Sequence, residues 1–478
     1  MHGAFPVLAI FRPFNCKPSI MKKLTFTLCL FVAAMGLAQA QSEADKEMIR
    51  KIYDEALYRG EAYENLRYLT KEIGARLSGS PQAAAAVEWG RQVMESYGFD
   101  TVYLQPVMVP HWVRGDVEQA RIVSALQGTV EVNIIGLGNS IGTVPGGISA
   151  EVIEVTEFEE LQAMDYADVE GKIVFFNRPF DDGLISQGAA YGGAVGQRGS
   201  GPVEAAKKGA IGCVVRSMTS NRDDVPHTGG TRYQLNVPQI PAVAISTNDA
   251  DRLSNMLKKE PSLRFFVETS GKFLEDELSY NVIGELWGSE KPEEIMVVGG
   301  HLDSWDVGEG AHDDGAGTVH TIEVLRIFKA MDYRPKHTIR GVLFMNEENG
   351  LFGGRKYAEV AETKGENHLV AMESDSGGFV PRGFTMDGEE GQVEKFMGWA
   401  SLFSPYQADD FGPGGGGADI GPLKNQGVPL IGFRPDGQRY FDYHHTAEDT
   451  FEKVDDRELH LGAAAMASLF YLIDQYGL

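Results

Sequence analysis

Five short polar segments follow apolar runs in the second half of the chain. They are rich in histidine and carboxylate side chains, which bind metal ions, and each comes where a predicted strand ends or soon after. The segments are His301-Leu302-Asp303, His312-Asp313-Asp314, Glu347-Glu348, Glu373-Ser374-Asp375 and His444-His445-Thr446. Any one of them alone is common on solvated loops, but five in this order favour one shared site. Imidazole and carboxylate suit Zn²⁺, and because one ion needs only about three protein ligands, the set predicts two zinc ions.

Two adjacent zinc ions would support the hydrolysis of an amide bond. A hydroxide shared between them is a strong nucleophile at neutral pH. A carboxylate beside it can take its proton and pass that proton to the leaving amine. Glu347 and Glu348 point in opposite directions in an extended segment, so one can bind metal while the other faces the water. Asp303, two residues after His301, is placed to hold the imidazole ring.

The segments that must position these residues have the pattern of an α/β domain. From about residue 280, continuous apolar strands alternate with helical patterns, which predicts a largely parallel sheet. The predicted strands include EIMVVGGH, HTIRGVLFMNEE, LVAMESD and VPLIGFRP, and DGAGTVHTIEVLRIFKAM is a predicted helix. Ligands of open α/β sheets bind at the carboxyl ends of the strands, so the five segments are expected to converge there.

A β-rich unit interrupts this pattern. Residues 121–272 contain short apolar strands, among them GKIVFFNR, GCVVRSM and PAVAIST, separated by turns rich in Gly, Pro and Asp. Residues 41–120 before this unit begin with two amphipathic helical patterns. We therefore predict a catalytic domain formed by residues 41–120 and 273–478, with residues 121–272 as an insert.

The N-terminal segment has the pattern of a leader. Within residues 21–40, a Lys-Lys pair precedes an apolar run that ends in Ala-Gln-Ala, which is typical of a secretory signal peptide. We expect residues 1–40 to be removed, translation to start at Met21 and the protein to be exported, either to the periplasm or as a secreted protein; the alternative is a membrane anchor. Cys213 would then be the remaining cysteine, which excludes an intramolecular disulfide.

The charge of the chain excludes several classes of partner. Its 43 Lys and Arg against 68 Asp and Glu give a formal net charge of −25. Nucleic acids and anionic membrane surfaces both require a basic face. We therefore expect no nucleic-acid partner, and no membrane partner once the leader is removed.

The motifs of the polar segments resemble those of the co-catalytic zinc exopeptidases of the aminopeptidase and glutamate carboxypeptidase family. The similarity is strongest in HLDSWDVGEGAHDDGAG, NEENGLFGG, MESDSGGF and YHHTAEDT. It extends over nearly the whole chain after the leader and is closest to a carboxypeptidase branch. The insert resembles a protease-associated domain. The resemblance implies a three-layer phosphorylase/hydrolase-like peptidase domain with a mixed, largely parallel sheet, and a β-rich inserted protease-associated domain.

The resemblance also implies a role for each residue of the motifs. The expected ligands are His301, Asp313 and Asp375 for one zinc ion and Asp313, Glu348 and His445 for the other. Glu347 would be the general base and acid, and Asp303 would orient His301. The family's ligand histidine directly precedes a threonine, which favours His445 over its neighbour His444. A cis peptide bond would join Asp313 to Asp314.

The sequence leaves the choice of substrate open. An exopeptidase recognises a free terminus, so an α-carboxylate needs a cation and an α-ammonium needs a carboxylate. The candidates are Arg434 and Arg439 for a carboxylate, Asp409, Asp410 and Asp419 for an ammonium, and Tyr443, Gly415 and Gly416 for the pocket wall or the oxyanion. The resemblance favours a carboxypeptidase or dipeptidase acting on dipeptides or short peptides, and it implies a homodimer. The alternatives are an aminopeptidase of the same family and, more weakly, a non-catalytic peptide-binding protein with a structural metal site.

Overall fold

A computed structural model of the chain describes residues 43–478. The expected leader, residues 1–40 with its signal peptide, lies outside them. Of the described residues, 43–51 belong to one unit and Ile52–Leu478 form a second, compact unit. Residues 43–51 of the first unit are helical. No helix of the described part is both long and apolar enough to span a membrane. Cys213 is buried and forms no disulfide.

The strands of residues 43–478 are numbered in chain order. They are β1 Thr101–Val109, β2 Trp112–Val113, β3 Glu118–Ser124, β4 Gly128–Val132, β5 Ile134–Gly136, β6 Ile148–Val155, β7 Ile173–Phe176, β8 Gly212–Arg216, β9 Ala242–Ile245, β10 Arg264–Thr269, β11 Lys272–Phe273, β12 Glu277–Leu286, β13 Lys291–His301, β14 His337–Phe344, β15 Asn367–Glu373, β16 Pro381–Asp387, β17 Asp410–Pro413 and β18 Leu430–Pro435.

The α-helices are numbered in the same way. They are α1 43–59, α2 Ala62–Tyr68, α3 Pro81–Ser96, α4 Phe158–Ala163, α5 Tyr166–Val169, α6 Gln187–Ala194, α7 Gly196–Gly199, α8 Gly201–Lys207, α9 Thr247–Leu257, α10 Ala316–Ala330, α11 Phe352–Lys364, α12 Glu390–Met397, α13 Ala400–Phe403, α14 Tyr440–Tyr443 and α15 Asp456–Tyr476.

An eight-stranded mixed sheet forms the centre of the catalytic domain, in the order β1-β12-β14-β13-β15-β18-β16-β17. Its four middle strands, β14, β13, β15 and β18, are parallel. The strands that flank them, β12 and β16, run antiparallel to their neighbours β14 and β18. All residues of β14 are buried, as expected for a strand that is covered on both faces. The predicted α/β fold is therefore confirmed, and the parallel part is its centre.

Helices cover both faces of this sheet. On one face, a Cβ at Gly341 of β14 would lie 3.2 Å from Leu325 of α10, and α10 itself packs against α15. On the other face, Phe344 of β14 belongs to the same apolar cluster as Tyr357 of α11. The sheet and its two helical layers form the expected three-layer domain.

The insert contains a second eight-stranded sheet, in the order β4-β3-β10-β6-β7-β8-β9-β5. Its strands run from Glu118 to Thr269, and its centre, β6 to β9, is parallel. Two separate apolar clusters pack on it, one including Leu253 of α9 and the other including Ala205 of α8. The short ladder of β2 with β11 joins the chain where it enters and leaves the insert.

Candidate metal centre and active site

The parallel strands in the middle of the sheet bring the polar segments to one edge. His301 is the last residue of β13, Glu347 and Glu348 follow β14, and Asp375 follows β15. Because β13 pairs in parallel with both β14 and β15, the three loops leave the sheet side by side. The convergence expected from the sequence is therefore present in the fold.

Asp313 lies between two histidines. Its Oδ1 is 3.3 Å from Nε2 of His301, and its Oδ2 is 3.2 Å from Nε2 of His445. Oδ1 of Asp375 lies 3.5 Å from the same nitrogen of His301. Oε2 of Glu348 lies 3.2 Å from the same nitrogen of His445. The side chains thus form two donor groups that share Asp313.

The geometry of each donor group fits a divalent metal ion. Two ligands of a tetrahedral zinc ion, each bound at about 2.0–2.2 Å, lie roughly 3.3 Å apart. The donor atoms around Asp313 have this spacing, and the side chains are largely buried. Oδ2 of Asp313 is buried and accepts no hydrogen bond within residues 43–478. A buried carboxylate oxygen without a donor is costly unless a cation binds it.

Each ring is oriented by a carbonyl group behind it. Nδ1 of His301 lies 2.9 Å from the carbonyl oxygen of Asp303, and Nδ1 of His445 lies 3.2 Å from that of Thr228. Because a carbonyl only accepts hydrogen bonds, the contact of His301 places its hydrogen on Nδ1. His445 can donate from Nδ1 to the Thr228 carbonyl in the same way, and Nη1 of Arg198, which lies 3.2 Å from this nitrogen, donates to that carbonyl as well. In the tautomer with its hydrogen on Nδ1, each ring keeps a lone pair on Nε2 that points at the carboxylates, as a metal ligand requires.

The geometry favours His445 over His444 as the ligand of the second group. Nε2 of His444 is 3.7 Å from Asp313, and within residues 43–478 it forms no ion pair with Glu348. His445, by contrast, contacts both carboxylates. The two rings are stacked, with centroids 3.5 Å apart. Glu348 is fixed in turn, because its Oε1 accepts a hydrogen bond from the backbone N–H of Trp305 at 3.2 Å.

Asp303 holds His301 through its main chain and not, as the sequence led us to expect, through its carboxylate. Its Oδ1 lies 3.9 Å from Nδ1 of His301, beyond hydrogen-bond distance. That oxygen accepts hydrogen bonds from the backbone N–H groups of Asn346 at 2.6 Å and Glu347 at 3.0 Å. The Asp303 side chain therefore positions the segment that carries Glu347.

Glu347 lies on the wall of the cleft that contains both donor groups. The pKa of Glu347 is raised to about 8, mainly by burial; His301 opposes the rise, and the nearby carboxylates of Asp375 and Asp303 add to it. A carboxyl group with a pKa near neutrality can both accept and return a proton at physiological pH.

Two aspartates whose roles were not expected from the sequence hold the loop that carries Asp313. Asp449 accepts hydrogen bonds from the backbone N–H groups of His312 at 2.8 Å and Asp313 at 3.1 Å. Asp314 accepts one from the backbone N–H of His301 at 3.0 Å. The bond between Asp313 and Asp314 is cis, as the resemblance implied. Asp449 belongs to the motif YHHTAEDT, which is the one signal in the sequence that pointed to it.

Arg76 is a further residue of the site that no motif in the sequence indicated. Its side chain is completely buried. The guanidinium donates to the carbonyl oxygens of Leu302 at 2.6 Å, Glu309 at 2.9 Å and Gly310 at 3.0 Å. These carbonyls belong to the loop between His301 and Asp313, so Arg76 fixes the conformation that places the two ligands.

We expect Arg76→Met to lower the free energy of unfolding by roughly 3 kcal/mol or more, because it leaves buried carbonyl groups without a donor. Urea denaturation followed by circular dichroism measures this change. Arg91→Met is the matched control, since Arg91 forms exposed ion pairs with Glu88 and Glu95, and such pairs contribute about 1 kcal/mol or less. Equal stability of the two variants would contradict the role assigned to Arg76.

A cleft of about 1070 Å³ lies over the donor groups, between the catalytic domain and the insert. The catalytic domain contributes Asp313, Glu347 and Tyr440 to its wall, and the insert contributes Tyr191 and Arg198. Of the residues proposed from the sequence for substrate contacts, Arg434 and Asp410 line the cleft, where they pair with each other at 3.1 Å.

The structure places the other proposed substrate residues away from the cleft wall. Arg439 pairs with Glu458 at 3.1 Å. Tyr443 stacks on His312, and Tyr440 lines the cleft instead. The carboxylate of Asp409 accepts a hydrogen bond from Ser404, and Asp419 is buried near Glu373. The carbonyl group of Gly415 accepts a hydrogen bond from Thr385, and Gly416 lies against Ile420. Gly415, Gly416 and Asp419 belong to the loop after β17, which lies against Glu373: the backbone N–H of Ile420 donates to that carboxylate at 2.9 Å.

Comparisons with known proteins identify a peptidase domain and a PA domain in this chain. The model of peptidase family M28 matches residues 281–470, and that of the PA domain matches residues 143–253. Carboxypeptidase Q of Bos taurus is 37% identical over 86% of this chain and 85% of its own length, and that of Homo sapiens is 36% identical over 96% and 93%.

Solved structures of peptidases resemble this chain in their fold. A peptidase M28 precursor from Shewanella amazonensis SB2B is 35% identical and superposes with a TM-score of 0.85 over 90% of this chain and 97% of its own. A zinc aminopeptidase from Bacillus subtilis, 21% identical with a TM-score of 0.61 over 86% and 94%, shares the fold. The sequence identity over most of both chains shows that this protein belongs to peptidase family M28 and is a metallo-exopeptidase with an inserted PA domain.

Proposed function

We propose that this protein is an exported carboxypeptidase or dipeptidase that hydrolyses dipeptides or short peptides with two zinc ions per chain. The observation that carries the proposal is Asp313, whose two oxygens each face a separate histidine and carboxylate pair. The residues that would hold the ions are His301, Asp313 and Asp375 for the first and Asp313, Glu348 and His445 for the second.

Different residues of the chain would then have separate roles in hydrolysis. Zinc ions bound there would supply Lewis-acid chemistry, polarising the peptide carbonyl and lowering the pKa of water. Glu347 takes the proton from the attacking water and returns it to the nitrogen of the leaving amine. Asp303 holds the backbone of Glu347, and the carbonyl groups of Asp303 and Thr228 hold the ligand rings in place.

The charges along the cleft favour recognition of a substrate carboxylate. Beyond the donor groups, the cleft wall carries five arginines, Arg198, Arg232, Arg355, Arg382 and Arg434. The two aspartates on the same wall, Asp410 and Asp436, are paired with Arg434 at 3.1 Å and Arg382 at 2.8 Å. Among the described lining residues other than the donor groups and the proposed general base Glu347, an α-ammonium group would therefore find no unpaired carboxylate. The carboxypeptidase Q relatives support the same choice.

We expect the zinc enzyme to cleave an N-acetylated dipeptide and to lose roughly tenfold to a hundredfold in kcat/KM on the C-amidated one, because the amide cannot replace a charged hydrogen-bond acceptor. The two blocked substrates are assayed against the free dipeptide by chromatography. The chelated enzyme is the control for metal dependence.

The alternatives give different results in this assay. Cleavage of the C-amidated but not the N-acetylated substrate would contradict the proposal and identify the protein as an aminopeptidase. Two bound zinc ions without hydrolysis of any dipeptide would favour a peptide-binding protein with a structural metal site. Export is supported by the signal-peptide pattern of residues 21–40, and N-terminal sequencing of the mature protein tests it.

A further inference from the structure

The PA insert contacts the second donor group through Thr228 and His445. The backbone N–H of Thr228, an insert residue, donates to the carbonyl oxygen of His445 at 3.0 Å. In return, the carbonyl of Thr228 lies 3.2 Å from Nδ1 of the same histidine. His445 has a left-handed backbone conformation, with φ of 62°, which is unfavourable for a residue with a side chain. The main chain of the insert thus holds both the backbone and the ring of a candidate metal ligand.

Arg198 of the insert completes this contact. Its Nη1 lies 3.2 Å from Nδ1 of His445 and donates to the carbonyl of Thr228 at 3.2 Å, and its Nη2 donates to the hydroxyl of Tyr191 at 2.5 Å. The side chain is only 7% exposed. Among residues 43–478, no carboxylate lies within ion-pair distance of it. Burying a guanidinium without a counter-charge costs folding free energy. This cost indicates a function of Arg198 at the His445 ring, which it contacts.

The first donor group has no such dependence on the insert. The ring of His301 is held by the carbonyl of Asp303, and its backbone N–H is held by Asp314. Both partners belong to the catalytic domain. The two groups share Asp313 but differ in what orients their histidines.

We propose that Arg198 and the main chain of Thr228 are positioning elements of the second metal site, so that the PA insert sets the affinity for one ion of the pair. This inference rests on the two-metal site of the proposed function. Partners of this kind fix the orientation of a ligand ring, and their loss typically costs 10–100-fold in metal affinity. The insert would therefore be part of the metal centre as well as a wall of the cleft.

The test is a metal titration of the apo-protein with zinc and a competing chelator, repeated with Co²⁺ and followed by its absorption spectrum. We expect wild type to bind two ions. In Arg198→Met, we expect the first ion to bind as in wild type and the second at least tenfold more weakly. Arg198→Lys keeps a charged donor, so we expect its affinity for the second ion to lie between those of wild type and Arg198→Met.

Arg216→Met is the matched control, because Arg216 is also a buried arginine of the insert, pairs with Asp251 at 2.6 Å and lies outside the cleft. We expect it to bind both ions as wild type does. Thermal denaturation of the apo-proteins checks folding, and if Arg198→Met does not fold, the comparison of Arg198→Lys with Arg216→Met decides.

The outcomes separate this inference from the function on which it rests. Two ions bound with unchanged affinity in the folded Arg198 variants would overturn the inference alone, and so would an equal loss of both ions. One ion in the wild type would overturn the two-metal function, and the inference with it.

Discussion

Glu347→Gln is expected to bind both metal ions as the wild type does and to lose turnover by a factor of roughly 10² to 10⁴, the contribution of a general acid–base residue. Glutamine has the shape of glutamate but cannot accept and return a proton. Glu347 lies on the cleft wall, and its backbone is held by Asp303 at 3.0 Å, so the substitution leaves the loop in place. The measurement is kcat for a free dipeptide, together with elemental analysis for zinc.

The matched comparison for this variant is Glu348→Gln at the neighbouring position. Because Oε2 of Glu348 lies 3.2 Å from Nε2 of His445, its loss should weaken metal binding as well as turnover. Near-normal hydrolysis by Glu347→Gln would refute its role as the base. A loss of zinc in that variant would show that Glu347 is itself a ligand.

Asp313→Ala is expected to lose both metal ions and at least as much activity as Glu347→Gln. The two oxygens of Asp313 lie 3.3 Å from His301 and 3.2 Å from His445, so one substitution removes a ligand from each donor group. By contrast, His445→Ala removes a ligand from the second group only. Elemental analysis after dialysis should give two ions per chain for wild type, about one for His445→Ala and none for Asp313→Ala.

Glu159→Ala on the exposed face of α4 controls for loss of an acidic side chain and should keep both ions. Circular dichroism must show that Asp313→Ala is folded, since Asp313 lies in a buried loop. One tightly bound ion in Asp313→Ala would mean that this residue does not bridge the two groups.

Residue types and spacing alone lead to the chemistry that we propose for the centre. The donors follow apolar strands directly, and that pattern is local: the run that forms β13 ends in His301, and the run that forms β14 ends three residues before Glu347. Parallel strands place their carboxyl ends at one edge whatever their order in the sheet. The mixed α/β fold, the convergence of the donors and the β-rich insert could therefore be predicted before any tertiary contact was known.

The tertiary structure decided which atoms meet. Thr228 and His445 are 217 positions apart, and Arg76 lies 226 positions from Leu302, so neither contact leaves a local pattern in the sequence. The same holds for the cleft wall, where Tyr440 and not Tyr443 is placed. Such contacts depend on how loops and domains pack in three dimensions. Strand periodicity and ligand chemistry determined the kind of site, and the packing of the insert on the catalytic domain determined how its second half is held.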